Sequence, residues 1–408
     1  METIPASVPG ASGLVPRHRA LLLAALSLGG FAIGTSEFSA MGLMPDMVEG
    51  FGVTEPQVGH LISAYALGVV VGAPLLAILG GRLPRRTLLL ALMGFYALGN
   101  LASALAPHYG SMMLARFVAG LPHGAYFGVA ALTAVAISPP DARGKAISLM
   151  MLGLTLAILV GNPLATWMGQ TIGWRWAFVL VAVVALATAL LLAVLMPRAE
   201  TVVPTRPLDE LRAFNRLPVW QALAIGAIGF AGLFCVFSYL APTMLHVTGV
   251  GEVWIPLGLV GFGLGGVAGN FLGGWLFDRM QFRAVPVILL GAALVLVLFS
   301  LSAGSLWTLL PATVAVGLMG ALGPVLQSHL MDVAGKAQTL AAASHHAAFN
   351  AANALGPWLG GLAIGAGLGW TSTGYVGAVT AVLGVALYAW AAATLRRPGG
   401  QAEACAPA

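Results

Sequence analysis

Long apolar runs with very few charges dominate this chain and restrict its fold more than any other feature. A helix needs about 20 apolar residues to cross the hydrocarbon core of a bilayer. Only 31 of the 408 residues are charged, or 8%, against about 25% in an average soluble protein. This composition excludes a soluble globular domain, a disordered chain and a nucleic-acid-binding protein. We predict twelve transmembrane helices, at 20–44, 57–79, 87–106, 111–136, 146–170, 174–196, 219–241, 254–276, 284–303, 308–330, 340–364 and 371–394.

The distribution of basic residues predicts how these helices are oriented. If the N-terminus is inside, 16 of the 18 Lys and Arg residues fall in inner segments, and Arg175 alone falls in an outer loop. Basic residues are enriched on the cytoplasmic side of membrane proteins. Both termini are therefore expected in the cytoplasm of a multi-pass protein of the plasma membrane, which in bacteria is the inner membrane.

A polar segment divides the predicted helices into two groups of six. It contains four prolines and charges of both signs. The expected organisation is therefore a pair of pseudo-symmetric six-helix bundles with a cavity between them. Its parts are a tail at 1–19, a bundle at 20–196, a linker at 197–218, a bundle at 219–394 and a tail at 395–408.

The two groups also resemble each other in sequence. The stretch from Gly72 to Arg82 is similar to the stretch from Gly269 to Arg279, which lies 197 residues later. The first and seventh helices share a second match, and the fifth and eleventh helices share a third, near Pro163 and Pro357. Repeated bundles that move about a central site are typical of secondary transporters.

Two charged residues, Glu37 and Arg116, lie deep within the predicted spans, whereas Arg175 is the second residue of its span and is counted with the outer loop. An ionisable residue at this depth needs a partner or a water-filled cavity, and it is functional by default. Both lie at similar depth in helices 1 and 4, so an ion pair is possible if those helices are neighbours. We favour a proton-carrying carboxylate tuned by the guanidinium; the alternative is a static buried salt bridge.

Other polar and aromatic residues are candidates for the cavity. His123 lies two turns from Arg116, and it either binds substrate or a proton, or packs as a neutral histidine. The buried amides can join helices by hydrogen bonds or contact a polar substrate. The complete set of cavity candidates is Phe38, His123, Tyr126, Asn162, Phe237, Tyr239, Gln327 and Asn350.

A third set of residues has an expected conformational role. Basic groups after helix 2, together with Asp278 and Arg279, can cap helices and pair across the two halves. Pro163 and Pro357 are expected to kink helices 5 and 11. The set is Gly72, Arg82, Arg85, Arg86, Pro163, Asp278, Arg279 and Pro357. We predict no catalytic residue, because the spans contain no dyad, and no metal site, because no Cys/His cluster has metal-ligand spacing.

The chain resembles the major facilitator superfamily over its whole length, and several sequence stretches carry this resemblance. Gly72 to Arg86 is similar to the loop 2–3 signature, except that Gly81 stands where an Asp is usual. Leu114 to Gly120 resembles the helix 4 signature with its buried Arg, and Gly153 to Pro163 resembles the helix 5 signature of antiporters. Glu37 falls where drug:proton antiporters of the twelve-helix group carry an acidic residue.

Gly59 to Pro74 and Pro122 to Gly128 are most similar to the bacterial arabinose-efflux permease family. The resemblance implies a proton-coupled exporter of small molecules, such as a sugar like arabinose or a drug, that works by alternating access. It implies no cofactor, a proton gradient as energy source, and a chain able to work as a monomer with protons, a small-molecule substrate and the bilayer as partners.

Three alternatives remain open. The first is an exporter of purine nucleosides or phenicol-type drugs. The second is a facilitator or importer without proton coupling, in which Glu37 only binds substrate. The third is a sensor or scaffold, which the shortness of the linker, about 22 residues, disfavours. ATP-driven transport is not supported, because the chain lacks a Gly-x-x-x-x-Gly-Lys-Ser/Thr motif.

Overall fold

The computed structural model describes residues 15–80, 83–139, 142–197, 216–334 and 338–395. Residues 1–14 and 396–408 of the predicted tails and most of the predicted linker therefore lie outside the described residues. Within those ranges every regular element is a helix. This agrees with the membrane prediction, because a helix satisfies its own backbone hydrogen bonds in lipid.

The first group contains six long helices, named α1 to α6. A short helix, Met44–Phe51, follows α1, and α5 contains a π-helical turn at Ala157–Gly161. The six are α1 (Pro16–Gly42), α2 (Glu55–Gly80), α3 (Arg85–Ala104), α4 (Tyr109–Ala136), α5 (Arg143–Leu156 and Asn162–Ile172, joined by that π turn) and α6 (Arg175–Leu195).

The second group repeats this plan, and two of its helices are interrupted. α7 consists of Leu217–Gly229, Ala231–Ser238, Leu240–Thr243 and a π turn at Met244–Thr248. α10 consists of Leu306–Leu318, a 3-10 turn at Met319–Ala321 and Leu322–Ala334. The remaining four are α8 (Ile255–Met280), α9 (Ala284–Ser302), α11 (Gln338–Gly365) and α12 (Ser372–Leu395).

Ten segments of the described chain are long and apolar enough to cross a membrane. One of them, Glu252–Ser302, contains two successive helices, α8 and α9. The remaining helix, α11, is 28 residues long but less apolar, because it carries two histidines and two asparagines. The described helices thus confirm the predicted all-α, twelve-helix architecture in two six-helix bundles.

Hydrogen bonds between helix ends define two faces of the molecule. His18 at the start of α1 bonds to the Leu195 carbonyl at the end of α6 (2.8 Å). We call this side the terminal face. Tyr109 at the start of α4 donates to the Gln57 carbonyl at the start of α2 (2.9 Å), and this side is the opposite face. In the second group, Gln221 meets Thr394 on the terminal face and Ser300 meets Thr371 on the opposite face.

The sequence repeat is visible in how the helices pack. A Cβ on Gly68 of α2 would collide with the Phe117 carbonyl of α4, and a Cβ on Gly265 of α8 would collide with the Val314 carbonyl of α10. Both members of the second pair lie 197 residues after the first (265 − 68 and 314 − 117). Gly72 with Leu121 and Gly269 with Leu318 repeat the relation. Small residues let membrane helices approach closely, and here both halves use them at equivalent positions.

Apolar packing joins the two halves on one side of the molecule. In the described chain, one buried cluster contains Met41 and Leu61 of the first half together with Phe237 and Leu259 of the second. On the terminal side each half has its own cluster, one around Leu26 and a small one made of Val219, Ala222, Leu330 and Ala334. The halves are therefore packed together toward the opposite face; nearer the terminal face, Phe127 of α4 stacks on His346 of α11, with ring centroids 5.4 Å apart.

The two predicted proline kinks have different outcomes. In α5, Pro163 follows directly on the π turn at Ala157–Gly161, so the helix is irregular there. In α11, Pro357 lies inside a helix that is continuous from Gln338 to Gly365. π turns inside α-helices are frequent at functional sites, and this one lies beside α1.

Candidate functional site

Glu37 is held in the contact between the two halves. Its carboxyl is 1% exposed, and Oε1 accepts a hydrogen bond from Nδ2 of Asn353 on α11 (3.0 Å). The two residues are 316 positions apart and belong to different bundles. The carboxyl on α1 therefore contacts the other half of the molecule directly.

Arg116 is buried beside α1, as the sequence requires for a charge at this depth. Its guanidinium donates to both Oγ and the backbone carbonyl of Ser36, each at 3.0 Å. It also lies over the ring of Tyr65, 4.3 Å from the centroid. Helices α1 and α4 are thus in contact, as the ion-pair hypothesis required. Arg116 and Glu37 do not form an ion pair. Among the described residues, the acid–base pair with nitrogen and oxygen within 4.0 Å is that of Glu55 with His246.

A chain of hydrogen bonds runs from Ser36 through the first half. Ser36 Oγ donates to Asn100 Oδ1 (2.5 Å), and Asn100 donates to the Tyr96 carbonyl (2.9 Å). The hydroxyls of Tyr96 and Tyr65 are 2.9 Å apart, and the Tyr65 hydroxyl is 3.1 Å from Nδ1 of His123. His123 is thus tied to this network. Sequence reasoning missed both tyrosines, although their polar tips in apolar spans are a usable signal.

Aromatic rings cross between the halves one residue beyond Glu37. The Phe38 and Phe237 centroids are 5.9 Å apart, so two of the predicted cavity residues meet. Phe237 also stacks on Phe262 of α8, with centroids 3.7 Å apart and planes 7° from parallel. Phe262 was not among the predicted residues. Together these rings offer an apolar, flat surface next to the carboxyl.

Several buried polar side chains have atoms without a hydrogen-bond partner. Among the described residues they are Thr35 Oγ1, both amide atoms of Asn162, Ser238 Oγ, Asn350 Oδ1, Asn353 Oδ1 and the Nε atoms of Arg19, Arg86 and Arg116. An unpaired buried polar group costs about 1–3 kcal/mol, so such groups need an explanation. Hydrogen bonding to a polar ligand in one step of a working cycle is a sufficient one.

Three of the residues predicted to line the cavity are not next to Glu37 in the contacts described above. The Tyr126 hydroxyl donates to the Leu26 carbonyl (2.7 Å), and the Tyr239 hydroxyl donates to the Pro357 carbonyl (2.8 Å). Each bond lies within one half and leaves that hydroxyl engaged. Gln327 is partly exposed on α10.

The predicted conformational residues contact their own halves. Arg86 donates to the Ala193 carbonyl (2.6 Å), and Arg279 lies 4.2 Å over the ring of Trp275. Arg85 begins α3 and Asp278 lies near the end of α8. Arg82 lies outside the described residues, so its expected pairing across the halves stays a prediction. Gly72 packs against Leu121, as given above.

An open cavity of about 620 Å³ runs along the terminal-side parts of α1 and α5. It begins beside Pro16 and Arg19 and extends to Phe31 and Leu156, with an almost entirely apolar lining between them. On α1, Phe31 lies on the same helical face as Thr35 and Phe38. All of its lining residues belong to α1 and α5 of the first half, and on α1 it ends at Phe31, six residues before Glu37.

The opposite face is closed by polar contacts between the halves. Ser63 Oγ on α2 donates to the Ala354 carbonyl on α11 (2.8 Å). Gln170 at the end of α5 donates to the Glu252 carbonyl just before α8 (2.8 Å). These bonds and the Glu55–His246 contact (3.3 Å) all join one half to the other.

Asp46, on the short helix after α1, lies at the edge of this closed face. Burial, together with the nearby charges of Glu252 and Glu49, raises its pKa to about 6. Glu252 belongs to the second half, so like charges face each other across the closed contact. In the described chain, no group of three or more His, Cys, Asp or Glu side chains is arranged to hold a metal ion.

Comparison with known proteins gives one consistent answer. The family model described as Major Facilitator Superfamily matches residues 26–298 and 255–404. "Inner membrane transport protein YdhP" of Escherichia coli O157:H7 is 38% identical over 90% of this chain and 94% of its own length. "Putative transporter AraJ" of Escherichia coli K12 is 33% identical, over 90% and 92%. A "Chloramphenicol resistance protein" of Streptomyces lividans is 34% identical, over 82% and 86%.

Proposed function

This chain belongs to the Major Facilitator Superfamily and is a multi-pass membrane transporter rather than an enzyme, and we propose that it is a proton-coupled exporter of small molecules. Its terminal face would be cytoplasmic, because 16 of the 18 basic residues fall on that side of the predicted topology. A relative carrying the words inner membrane in its name supports the same location. A single chain would suffice, with the proton gradient as energy source.

The observation that carries the proposal is the environment of Glu37. Its carboxyl is buried between the halves and hydrogen-bonded to the second half, while Arg116 bonds to Ser36 instead. A static salt bridge would hold the carboxylate of Glu37 in its ionised form. The Glu37 carboxyl, however, has no cation in contact with it. Intramembrane carboxyls in this situation form proton relays in transporters.

The arrangement of the two halves supports alternating access. Hydrogen bonds between the halves join them near the opposite face, while an open groove lined by α1 and α5 of the first half begins at the terminal face. Nearer that face, the described contact between the halves is the stack of Phe127 on His346. In the proposed orientation this arrangement is an inward-facing state. Export would require the reverse state, in which the contacts Ser63–Ala354 and Gln170–Glu252 separate.

The side chains near Glu37 favour an uncharged, hydrogen-bonding substrate with a flat apolar part. The amides of Asn162 and Asn350 and the hydroxyls of Thr35 and Ser238 offer neutral polar contacts, and the neighbouring rings of Phe38, Phe237 and Phe262 offer apolar ones. The name of the chloramphenicol resistance relative is compatible with this chemistry. A pentose or another sugar also matches the neutral polar groups. A nucleoside matches both the polar groups, through its sugar, and the aromatic rings, through its base.

The test is proton flux in inverted membrane vesicles that carry an imposed proton gradient. Chloramphenicol, arabinose, other pentoses, isopropyl thiogalactoside, purine nucleosides and a cationic dye would be added in turn. Wild type is compared with Glu37→Gln and with Asp332→Asn, a control in which the exposed carboxyl near the end of α10 is removed. We expect one compound to collapse the gradient in wild type and in Asp332→Asn but not in Glu37→Gln.

The same experiment separates the alternative. If a compound crosses the membrane in both wild type and Glu37→Gln without moving protons, the protein is a facilitator and Glu37 serves substrate binding alone. The proposed coupling would then be wrong.

A further inference from the structure

We propose that Asn353 is the positioning residue through which the second half of the molecule senses whether Glu37 carries a proton. This inference rests on the proposed function, because it takes Glu37 as the proton site. Asn353 lies on α11 and Glu37 on α1, so their contact closes only when the two halves meet near the opposite face.

The geometry leaves half of the Asn353 amide unused. Nδ2 donates to Glu37 Oε1 at 3.0 Å, while Oδ1 is buried without a partner. The residue is 0% exposed. An unpaired acceptor is thus held beside a carboxyl that can carry a hydrogen.

The two protonation states of Glu37 match this amide differently. An ionised carboxylate only accepts hydrogen bonds, so it can use Nδ2 but leaves Oδ1 unpaired. A protonated carboxyl has one O–H donor as well as an acceptor, so it can satisfy both atoms of the amide at once. One charge-assisted bond is about as strong as two neutral ones, and the unpaired Oδ1 therefore decides the balance.

The consequence is a link between protonation and conformation. The protonated pair satisfies all of its groups only while the halves are closed at the opposite face. Loss of the proton leaves Oδ1 unpaired in the closed state, and opening lets water reach it. Protonation therefore favours closure of the opposite face, and deprotonation favours its opening.

The other charged and titratable groups near Glu37 hydrogen-bond to residues other than Glu37, and only Nε of Arg116 among their described atoms is buried without a partner. Arg116 on α4 bonds to Ser36, and Tyr65 on α2 meets Tyr96 on α3 and His123. From the second half, Asn353 is the side chain that hydrogen-bonds to the carboxyl. It is therefore the residue able to report the proton to that half.

The test compares two variants, each of which lacks one hydrogen bond between the halves. The two bonds involve neighbouring residues of α11, Asn353 and Ala354. Asn353→Leu keeps the size of the side chain and removes both amide atoms. Ser63→Ala removes the bond to the Ala354 carbonyl (2.8 Å), which involves no titratable group. Both losses should loosen the closed face, but only the first should alter its dependence on pH.

Opening is measured as the distance between spin labels on Leu105→Cys and Leu368→Cys, in nanodiscs between pH 5 and pH 9. These positions are 71% and 66% exposed and belong to different halves at the opposite face. Cys235 and Cys405 are replaced by alanine in every sample. Each variant is first checked for a monodisperse, thermally cooperative protein, and Asn353→Ser replaces Asn353→Leu if the latter does not fold.

In the parent protein, the open fraction should rise with pH, and in Glu37→Gln it should stay low above pH 6, with only the smaller change below pH 6 that Asp46 contributes. In Asn353→Leu the pH-dependent change in the closed-to-open ratio should shrink roughly fivefold, the effect of about one unsatisfied buried group. In Ser63→Ala the open fraction should rise by the same factor at every pH. A uniform shift in Asn353→Leu, like that of Ser63→Ala, would overturn the inference.

The vesicle assay separates this failure from failure of the proposed function. If Glu37→Gln abolishes substrate-driven proton flux while Asn353→Leu behaves like Ser63→Ala, only the role of Asn353 is wrong. If Glu37→Gln transports protons normally, the proposed coupling is wrong and the inference about Asn353 falls with it.

Discussion

Arg116 and Glu37 lie at the same level of the first bundle, yet the guanidinium bonds to Ser36, the residue before Glu37, and not to the carboxyl. The carboxyl instead bonds to Asn353 of the other bundle. The cation therefore stabilises the backbone of α1 around the acidic residue without fixing the charge of that residue. A site of this kind can hold a proton in one conformation and release it in another.

The two hydrogen bonds of Arg116 require a planar, forked donor. We expect Arg116→Lys to lower the free energy of unfolding by about 1.5–3 kcal/mol, the range for hydrogen bonds to charged groups. A lysine cannot donate to Oγ and the carbonyl of Ser36 with the same geometry. Thermal unfolding in detergent measures the loss. Arg279→Lys on the exposed end of α8 is the control, and an equal loss there would contradict the explanation.

The close approach of α8 to α10 depends on Gly265. A Cβ there would collide with the Val314 backbone carbonyl, which cannot rotate away as a side chain can. We expect Gly265→Ala to destabilise the protein by about 1–3 kcal/mol, the usual cost of overpacking. Gly266→Ala is the matched control, because a Cβ at Gly266 meets nothing within 4 Å and alanine favours the helix by about 1 kcal/mol.

Gly68→Ala should reproduce the effect of Gly265→Ala, because Gly68 meets the Phe117 carbonyl in the same relation. The midpoint of unfolding and the yield of folded protein are the measurements. If Gly265→Ala and Gly266→Ala unfold at the same temperature, the helix contact tolerates a Cβ and the packing argument is wrong.

From the position of Asp46 we expect low pH at the opposite face to favour closure of that face. Its pKa is raised from 3.8 to about 6 by burial and by the charges of Glu252 and Glu49. A carboxyl whose pKa is raised binds its proton more tightly in the closed state than in an open, hydrated one. Closure should therefore be fully favoured below 3.8 and weaken progressively as the pH rises to about 6.

Asp46→Asn should keep the opposite face closed and remove this part of the pH dependence, as measured by the same spin-label distance. The second titratable contact between the halves joins Glu55 and His246, so the comparison is made in a His246→Gln background. Arg175, the basic residue at this face, bonds to the Ala106 carbonyl. An unchanged pH profile in Asp46→Asn would show that the acidic residues do not act on closure.

We expect the side chain of Asn162 to lower the stability of the protein while it supports transport. Both of its amide atoms are buried without partners, and each such atom costs about 1–3 kcal/mol. Asn162→Leu keeps the number and branching of the side-chain heavy atoms and removes the unpaired polar atoms, so we expect a higher melting temperature together with weaker substrate binding. Thermal unfolding and substrate-dependent quenching of tryptophan fluorescence measure the two effects. A fall in both quantities would instead indicate that the amide supports the fold.

Much of the architecture could be predicted from the sequence. The number of helices and their approximate ends follow from apolar length, and the duplication follows from the matches around Gly72 and Gly269. The structure extends the repeat to contacts, since the same offset relates Gly68 with Phe117 to Gly265 with Val314. The predicted level of Glu37 and Arg116 also follows from counting along helices 1 and 4.

The sequence was less informative about side chains that act on one another. It gave no reason to separate Asn353 from the other buried amides, and it did not select Tyr65, Tyr96 or Phe262. Tyr126 was predicted to line the cavity, but its hydroxyl bonds to the Leu26 carbonyl. These partners depend on how each helix is rotated about its axis, and helices that are apolar on every face carry little periodic signal of that rotation.

The sequence by itself therefore determined what the membrane imposes, because lipid demands helices of a given length and a basic excess on one side. The tertiary structure alone decided which half each polar group contacts and which face is closed. The bond between Glu37 and Asn353 joins residues 316 positions apart, and such a contact exists only once the two bundles pack. Its geometry is a property of that packing, which local patterns in the chain do not contain.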